Sequence, residues 1–310
     1  MRCNQLFNKQ SSSILVLFGI LLIMVVFLPS PSLAGVLFQQ NISYEVAQGD
    51  TISAIGVKFG VDSKRIAGEN NLDPAKALRA GQKLRITENR IIPETMQKGI
   101  LIDIPGRMLY LFDGGIPRMA APVGLGKPKG NGEKGWETPE GRFTIKGKLR
   151  NPDWKVPESI QEEMRREGLA VKESYPPGPK NPVGGYVLQT SIPGILIHET
   201  IDPLSVYRFR SHGCVRLLSG DMGELFENVE TGMHGESLYI PIKIAPLSNG
   251  RVFMEVNKDV YGKIKDMQGE ARRLLKKSGL LNDVDWNKVM RVILEKTGVP
   301  EEVTRKKNSP

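Results

Sequence analysis

Residues 195–217, ILIHETIDPLSVYRFRSHGCVRL, decide how the central part of the chain folds. The apolar run 195–197 is typical of a short buried strand, and it ends directly at His198. His212 and Cys214 lie two residues apart, so an extended chain places both side chains on one face. The return loop 199–210 could bring His198 opposite the cysteine. This stretch predicts neighbouring strands that gather one thiol and two imidazoles.

The surrounding sequence has the same β-like texture. Its 33 glycines and 21 prolines indicate many turns, and therefore short strands. We expect strands at residues 100–104, 107–112, 119–125, 142–145, 186–189, 195–198 and 237–242. Helices do not alternate with these runs, which argues against a doubly wound parallel sheet. The predicted class is mainly β.

The N-terminus has the pattern of an export signal. Arg2 and Lys9 precede an apolar run, 14–28, which is shorter than the ~20 residues that span a bilayer. Ser32, Leu33 and Ala34 then fit a cleavage site. We expect residues 1–34 to be a cleaved signal peptide, with a retained membrane anchor as the alternative. The protein is then exported to the periplasm or cell envelope.

The chain is basic, with a formal charge of +9. Removal of Arg2 and Lys9 with the signal leaves +9 − 2 = +7. Fixed positive charge attracts polyanions, and export favours an acidic wall polymer or anionic lipid over nucleic acid. Charge that serves solubility alone is the simpler explanation.

Cys214 becomes the only thiol once the signal is removed, because Cys3 lies within it. An intramolecular disulfide is thereby excluded. A thiol attacks carbonyl groups as a thiolate and needs a base or a positive partner, and His198 and His212 are both candidates for the base. A buried structural thiol is the alternative. A zinc site is disfavoured, because CxxC and HExxH are absent and a fourth ligand is missing.

Two neighbours of Cys214 suit acyl chemistry. Gly213 permits a close backbone approach, as an oxyanion pocket of N–H groups requires. Arg216 offers a planar fork for a substrate carboxylate. The third histidine, His234, lies in a turn-like stretch and is expected at the surface.

Residues 44–86 predict a small βααβ unit. Strands at 44–46 and 82–86 could pair, and helices at 52–59 and 64–69 lie between them. The elements YEVAQGDT, FGV, NN and AGQKLRI occur in order, and residues 42–88 resemble the LysM module. The resemblance implies binding to N-acetylglucosamine-containing glycans such as peptidoglycan. A folding spacer is the alternative.

Residues 98–245 resemble the catalytic domain of the L,D-transpeptidases, the YkuD-like family. The similarity rests on residues 197–217 and on the upstream elements IDIPGRMLYLF, PVGLGK, TPEGRFTI, NPDWKVPESI and PPGPKNPVGGY. It implies an L,D-transpeptidase-type β-sandwich. By position, Cys214 is implied to be the nucleophile and His198 the general base and acid.

The same resemblance implies roles for the neighbours of these two residues. His212 and Gly213 shape the oxyanion pocket with the N–H of Cys214, and Ser211 lines the site. Arg216 binds substrate. Glu199 departs from the small residue expected after the first histidine, which puts an orienting role of that position in doubt.

The implied reaction is acyl transfer without a metal or other cofactor. The thiolate attacks the L-centre of diaminopimelate in a tetrapeptide stem, releases D-Ala and leaves a thioester, which carbapenem-type β-lactams should also form. An amine resolves the thioester, either on another stem as a 3→3 cross-link or on an outer-membrane lipoprotein. Alternatives are hydrolysis as an L,D-carboxypeptidase, a non-catalytic LysM wall-binding protein, and a secreted cysteine peptidase.

Two further segments complete the predicted organisation. Residues 151–185 are rich in proline, contain one helical patch at 157–167, and are expected to form a functional loop, a lid or an exposed insertion. Trp136 and Trp154 flank this loop and could contact substrate or pack beneath a lid. Residues 256–298 predict a C-terminal helical extension with amphipathic helices at 260–277 and 286–296.

Overall fold

The computed structural model describes residues 35–73, 76–93, 96–129 and 135–306. The predicted signal peptide, residues 1–34, lies outside them. Within the described residues, no helix is both long and apolar enough to cross a membrane.

The first unit is the predicted βααβ module. Its elements are β1 (Val36–Glu45), α1 (Ile52–Phe59), α2 (Ser63–Glu69) and β2 (Lys83–Ile92). Thr51 caps α1 by accepting from the Ala54 N–H, and Asp62 caps α2 in the same way from Lys64. The two strands pair antiparallel over their whole length, Val36 with Ile92 through Glu45 with Lys83, and so extend beyond the predicted pairing.

The central unit is built on one mixed sheet of eight strands, ordered β13-β11-β10-β7-β14-β3-β4-β5. The central elements are β3 (Lys98–Asp103), β4 (Met108–Asp113), β5 (Ile116–Pro122), β6 (Leu125–Gly126), β7 (Gly141–Arg150), β8 (Trp154–Lys155), α3 (Glu158–Arg166), β9 (Ser174–Tyr175), β10 (Tyr186–Thr190), β11 (Leu196–Glu199), β12 (Phe209–Ser211), β13 (Val215–Leu217), α4 (Ser219–Asn228) and β14 (His234–Leu238). The predicted mainly β class is confirmed.

Both faces of β3 and β4 are buried. One face, which includes Ile100 and Leu109, enters the main core beneath α4. The other face, which includes Leu101 and Tyr110, packs with Ile92 of β2. The first unit thus covers part of the sheet, which explains why these strands are apolar throughout instead of alternating.

The C-terminal segment is not purely helical. It contains β15 (Ile242–Pro246), β16 (Val252–Val256), α5 (Met267–Lys277), α6 (Trp286–Glu295) and β17 (Glu301–Glu302). The three strands form an antiparallel sheet, and both helices pack against it around a core of their own. The predicted extension is therefore a small α/β unit that begins before residue 256.

Two predicted boundaries are wrong for identifiable reasons. The strand expected at 237–242 is split between β14 and β15, and Pro241 between them lacks the N–H that a ladder needs. The helix expected from residue 260 begins at Met267, because Gly262 has a φ of +65° and Asp266 caps the helix.

A buried ionic cluster joins the three units. The ammonium group of Lys243 lies 2.6 Å from carboxylate oxygens of both Asp103 and Glu255, and all three side chains are at most 2% exposed. Glu255 also accepts a hydrogen bond from the Ile91 N–H at the end of β2. The carboxylates raise the pKa of Lys243, against the opposing effect of burial.

Candidate active site

Cys214, His198, His212 and Arg216 all line one cleft of about 520 Å³. Trp136, which precedes the segment 151–185, and Trp154, which lies within that segment, both line the cleft. A larger cavity of about 650 Å³ lies where the three units meet, but its lining contains no cysteine or histidine. The smaller cleft is therefore the candidate active site.

The thiol of Cys214 is half-buried at the bottom of this cleft, directly before β13. Its Sγ accepts from the Leu196 N–H at 3.4 Å and donates to the Gly194 carbonyl at 3.5 Å. Burial raises the pKa of the Cys214 thiol, and the Leu196 N–H and the charge of Arg216 act against that rise. The group therefore rests as a thiol and needs a base for ionisation.

His198 lies in β11, whose neighbours in the sheet are β10 and β13. Its ring is 4% exposed, and Nδ1 donates to the Glu199 carbonyl at 2.5 Å. Burial lowers the pKa of His198 to about 4, although the carbonyls of Glu199 and Val183 favour the protonated ring. The imidazole is neutral near pH 7, so one of its ring nitrogens carries a lone pair that can accept a proton.

The turn before Cys214 is held by hydrogen bonds on both sides. Ser211 Oγ donates to the Cys214 carbonyl at 2.5 Å and accepts from the Gly213 N–H at 3.2 Å. Gly213 has a φ of +102°, a conformation that side-chain-bearing residues rarely adopt. Ser211 thus occupies the Gly213 N–H, whereas the Cys214 N–H makes no hydrogen bond to the described residues and can serve an oxyanion.

Thr138 and Tyr261 form a second layer beneath this turn. Thr138 Oγ1 donates to the Gly213 carbonyl and accepts from the Gly126 N–H, both at 2.9 Å. Tyr261 accepts from the Thr138 N–H at 3.1 Å and donates to the Gly126 carbonyl at 2.8 Å. A tyrosine from the C-terminal segment thus supports the loop that carries the thiol.

His212 is engaged away from the thiol. Its Nε2 pairs with Oε2 of Glu163 in α3, and its ring lies edge-on to Trp136 with centroids 4.9 Å apart. Glu163 also pairs with Lys127 at 2.8 Å. Burial alone would raise the pKa of Glu163, but hydrogen bonds from Lys127 and His212 outweigh it and lower the pKa.

Arg216 lies in β13 opposite His198 of β11. Its backbone bonds to Gly124 in both directions at 2.8 Å, which fixes the residue at the sheet edge. Its Nε is buried without a hydrogen-bond partner among the described residues. This guanidinium can serve both as a carboxylate receptor and as a positive charge near the thiol.

The sequence motif thus brings its six residues to one place, while several supporting residues were not foreseen. Glu163 and Lys127 carry no local signal, because they meet His212 from distant segments. Glu199 accepts from the Gly185 N–H at 2.8 Å and so holds the end of the 151–185 segment. His234 is exposed at the start of β14, as expected. Among the described residues, no cluster of His, Cys, Asp or Glu could hold a metal ion.

Comparison with known families agrees with both sequence resemblances. Residues 97–244 match the YkuD family, the L,D-transpeptidase catalytic domain, and residues 44–87 match the LysM domain.

Relatives and solved structures are similar over much of the chain. "Probable L,D-transpeptidase ErfK/SrfK" of Salmonella typhimurium is 24% identical, covering 89% of this chain and 90% of its own length. "Probable L,D-transpeptidase YcfS" of Escherichia coli is 28% identical, covering 70% of this chain and 68% of its own. A crystal structure of an L,D-transpeptidase from Mycobacterium tuberculosis is 13% identical with a TM-score of 0.34, covering 68% of this chain and 96% of that one.

Proposed function

We propose that this chain, which carries an L,D-transpeptidase catalytic domain and a LysM domain, is a peptidoglycan L,D-transpeptidase that uses Cys214 as its nucleophile. The observation that carries the proposal is the cleft itself. It holds the thiol, a buried imidazole whose pKa of about 4 keeps it neutral, and an arginine near the sulfur. These are the nucleophile, base and electrostatic partner that cysteine acyl transfer requires.

In the first half-reaction, His198 accepts the thiol proton and the thiolate attacks the carbonyl at the L-centre of diaminopimelate. Because Sγ rests on Leu196 and Gly194, it must first rotate towards the imidazole or reach it through one water. The Cys214 N–H donates to the oxyanion. Collapse breaks the peptide bond, the D-Ala amine takes the proton from His198, and a thioester remains.

In the second half-reaction, an amine attacks the thioester and passes its proton to His198, and the departing thiolate recovers that proton. The acceptor amine belongs either to a neighbouring stem, which gives a 3→3 cross-link, or to a lysine of an outer-membrane lipoprotein. Water in the same place gives L,D-carboxypeptidase activity. We assign the acceptor to the side of the cleft that residues of the segment 151–185 line.

The LysM domain supports peptidoglycan as the substrate polymer, because it would hold the catalytic domain on the glycan and raise its local concentration. Such a substrate requires export. We therefore propose that residues 1–34 are a signal peptide and that the mature protein works in the periplasm or cell envelope.

The decisive experiment incubates the purified full chain with disaccharide-tetrapeptide muropeptides and follows the products by mass spectrometry. D-Ala release with tripeptide-containing dimers supports cross-linking. D-Ala release with uncross-linked disaccharide-tripeptides alone supports L,D-carboxypeptidase activity. Adding a lysine-bearing lipoprotein peptide tests the third acceptor. Cys214→Ala should abolish every product, and a carbapenem should add its mass to the wild-type Cys214 peptide alone.

Three results would contradict this proposal. Full cross-linking activity in Cys214→Ala would remove the thioester mechanism. An absence of any D-Ala release, together with retained binding to purified peptidoglycan, would favour a non-catalytic wall-binding protein. Cleavage of stems elsewhere, without new cross-links, would instead identify a cysteine peptidase.

A further inference from the structure

The segment 151–185 leaves the sheet and returns to the same point. Its ends are joined by the Asn151 N–H, which donates to the Gly185 carbonyl at 2.8 Å, and Gly185 is in turn held by Glu199. Inside it, Trp154 stacks on Tyr175 at 5.8 Å. The segment is therefore a closed excursion with internal contacts, pinned to the sheet at its base.

Helix α3 lies in the middle of this excursion, and apolar packing does not anchor it to the rest of the protein. None of its residues belongs to the apolar cores formed by the described part of the chain. Ser159 and Ile160 of the helix, with Pro157 before it, line the cleft that contains Cys214. The position of α3 thus sets how open the candidate active site is, although apolar packing does not fix that position.

Glu163 supplies the missing anchor. Over the described ranges, every hydrogen bond and ion pair from α3 to residues outside 151–185 involves this carboxylate. One oxygen pairs with Lys127 at 2.8 Å, and the other pairs with His212, two residues before the thiol. The Glu163 side chain is only 10% exposed, so the carboxylate itself is largely shielded from water.

Lys127 and His212 also belong to one framework. The Lys127 N–H donates to the Ser211 carbonyl at 2.9 Å, and the Lys127 carbonyl accepts from the Trp136 N–H at 3.1 Å. Trp136 in turn packs against the His212 ring. The Glu163 carboxylate therefore joins α3 both to Lys127, which follows β6, and to the turn that carries Cys214.

We propose that α3 is a lid over the Cys214 cleft and that Glu163 is the latch which closes it, by binding Lys127 and His212 simultaneously. Glu163 is a positioning residue, since it acts through the helix and through His212. The inference rests on the proposed function for its kinetic consequence only. Its structural consequence, a lid that opens when the carboxylate is neutralised, can be measured without turnover.

The structural test compares Glu163→Gln with Glu162→Gln in the full chain. Glu162 is the preceding residue of the same helix, is exposed and has no ion-pair partner among the described residues, so its variant controls for the lost charge. Two readouts apply: amide hydrogen exchange across 158–166, and the rate at which iodoacetamide modifies Cys214, located by peptide mass spectrometry.

We expect Glu163→Gln to accelerate exchange in α3 and alkylation of Cys214 about tenfold, with Glu162→Gln unchanged. Exchange in β4 and β16 should stay at the wild-type rate in both variants, which shows that the fold is intact. Wild-type rates in Glu163→Gln would overturn the latch. Lys127→Met should reproduce the opening, and combining it with Glu163→Gln should add little, because both variants break the same contact between Lys127 and Glu163.

The kinetic test separates this inference from the proposed function. If the chain is a transpeptidase, Glu163→Gln should raise the KM for the tetrapeptide stem five- to tenfold and leave kcat within about twofold. A lower kcat at unchanged KM would contradict a lid role. If neither wild type nor variants release D-Ala, the proposed function fails, while faster exchange and alkylation in Glu163→Gln still uphold the latch.

Discussion

At the scale of single residues, His198 couples the stability of the fold to pH. Burial lowers its pKa from 6.5 to about 4. Between those values the unfolded chain binds a proton that the folded chain does not, so stability falls as pH decreases. At 1.36 kcal/mol per pKa unit, the loss approaches about 3 kcal/mol near pH 4 and is absent above pH 7.

This pH dependence can be isolated with the variant His198→Asn. Urea unfolding at pH 7 and pH 4.5 should show a smaller loss of stability in the variant than in the wild type. Exposed His234 provides the control, and His234→Asn should keep the wild-type slope. Burial raises the pKa of Asp221 to about 6, so protonation of Asp221 favours the folded state as pH decreases. The test therefore compares the pH dependence of stability between the variant and the wild type, in which the contribution of Asp221 is the same. Equal slopes in His198→Asn and wild type would contradict a buried neutral imidazole.

Gly213 makes a second prediction at this scale. A Cβ added there would meet Ile195 Cδ1 at 2.9 Å, and the φ of +102° would strain any other residue. Gly213→Ala should therefore cost about 1–3 kcal/mol of stability and displace the Cys214 N–H, which reduces acylation by a carbapenem. Gly220→Ala, in helix α4 with open space around its Cβ, should leave acylation unchanged and should not lower stability, because alanine is the better helix former. Thermal unfolding and intact-mass measurements of acylation compare the two.

The residues that act in the cleft differ in how far sequence predicts them. Cys214 and His198 belong to one motif. Two short strand patterns and the return loop between them are enough to predict that the two side chains lie close together. His212 seemed equally suited as a base from its spacing, but its partner Glu163 lies 49 residues away and no local pattern marks that contact. Long-range side-chain pairs depend on packing, which a single sequence does not display.

At the scale of elements, local rules predicted the small unit well and the C-terminal segment poorly. The helices α1 and α2 have capping residues that the sequence shows directly. The run 252–256 is buried on both faces, so it lacks the alternation that marks a half-exposed strand. Helix α4 was also missed, and no side chain caps its N-terminus.

The segment between β16 and α5 has a consequence for the active site. Tyr261→Phe removes both an acceptor for the Thr138 N–H and a donor to the Gly126 carbonyl. Leaving such buried groups unpaired should cost about 1–3 kcal/mol of stability and loosen the Gly213 turn, with slower acylation of Cys214. Tyr186→Phe is the matched control, since the Tyr186 hydroxyl makes a single hydrogen bond within the described ranges, an exposed one of 3.4 Å from Arg150. Unchanged acylation in Tyr261→Phe would show that the turn does not depend on this support.

At the scale of the whole molecule, buried contacts join the three units. Ile91 packs with Ala245 and Phe253, and the Ile91 N–H bonds to Glu255 at 2.5 Å. The first unit is therefore attached to the C-terminal sheet as well as to the catalytic one. A fixed attachment of this kind would present the wall polymer to the cleft in one orientation, which a tethered module could not do.

Lys243 is the centre of this junction, and Lys243→Met tests it. Removing the ammonium leaves Asp103 and Glu255 buried without their counter-charge, which typically costs about 3–5 kcal/mol. We expect a matching loss in the free energy of unfolding and faster exchange of the Ile91 amide. Lys265→Met, at an exposed lysine without an ion-pair partner among the described residues, should leave both unchanged. If Lys243→Met loses stability but Ile91 exchanges at the wild-type rate, the cluster stabilises the catalytic and C-terminal units only, and the first unit is held by apolar packing alone.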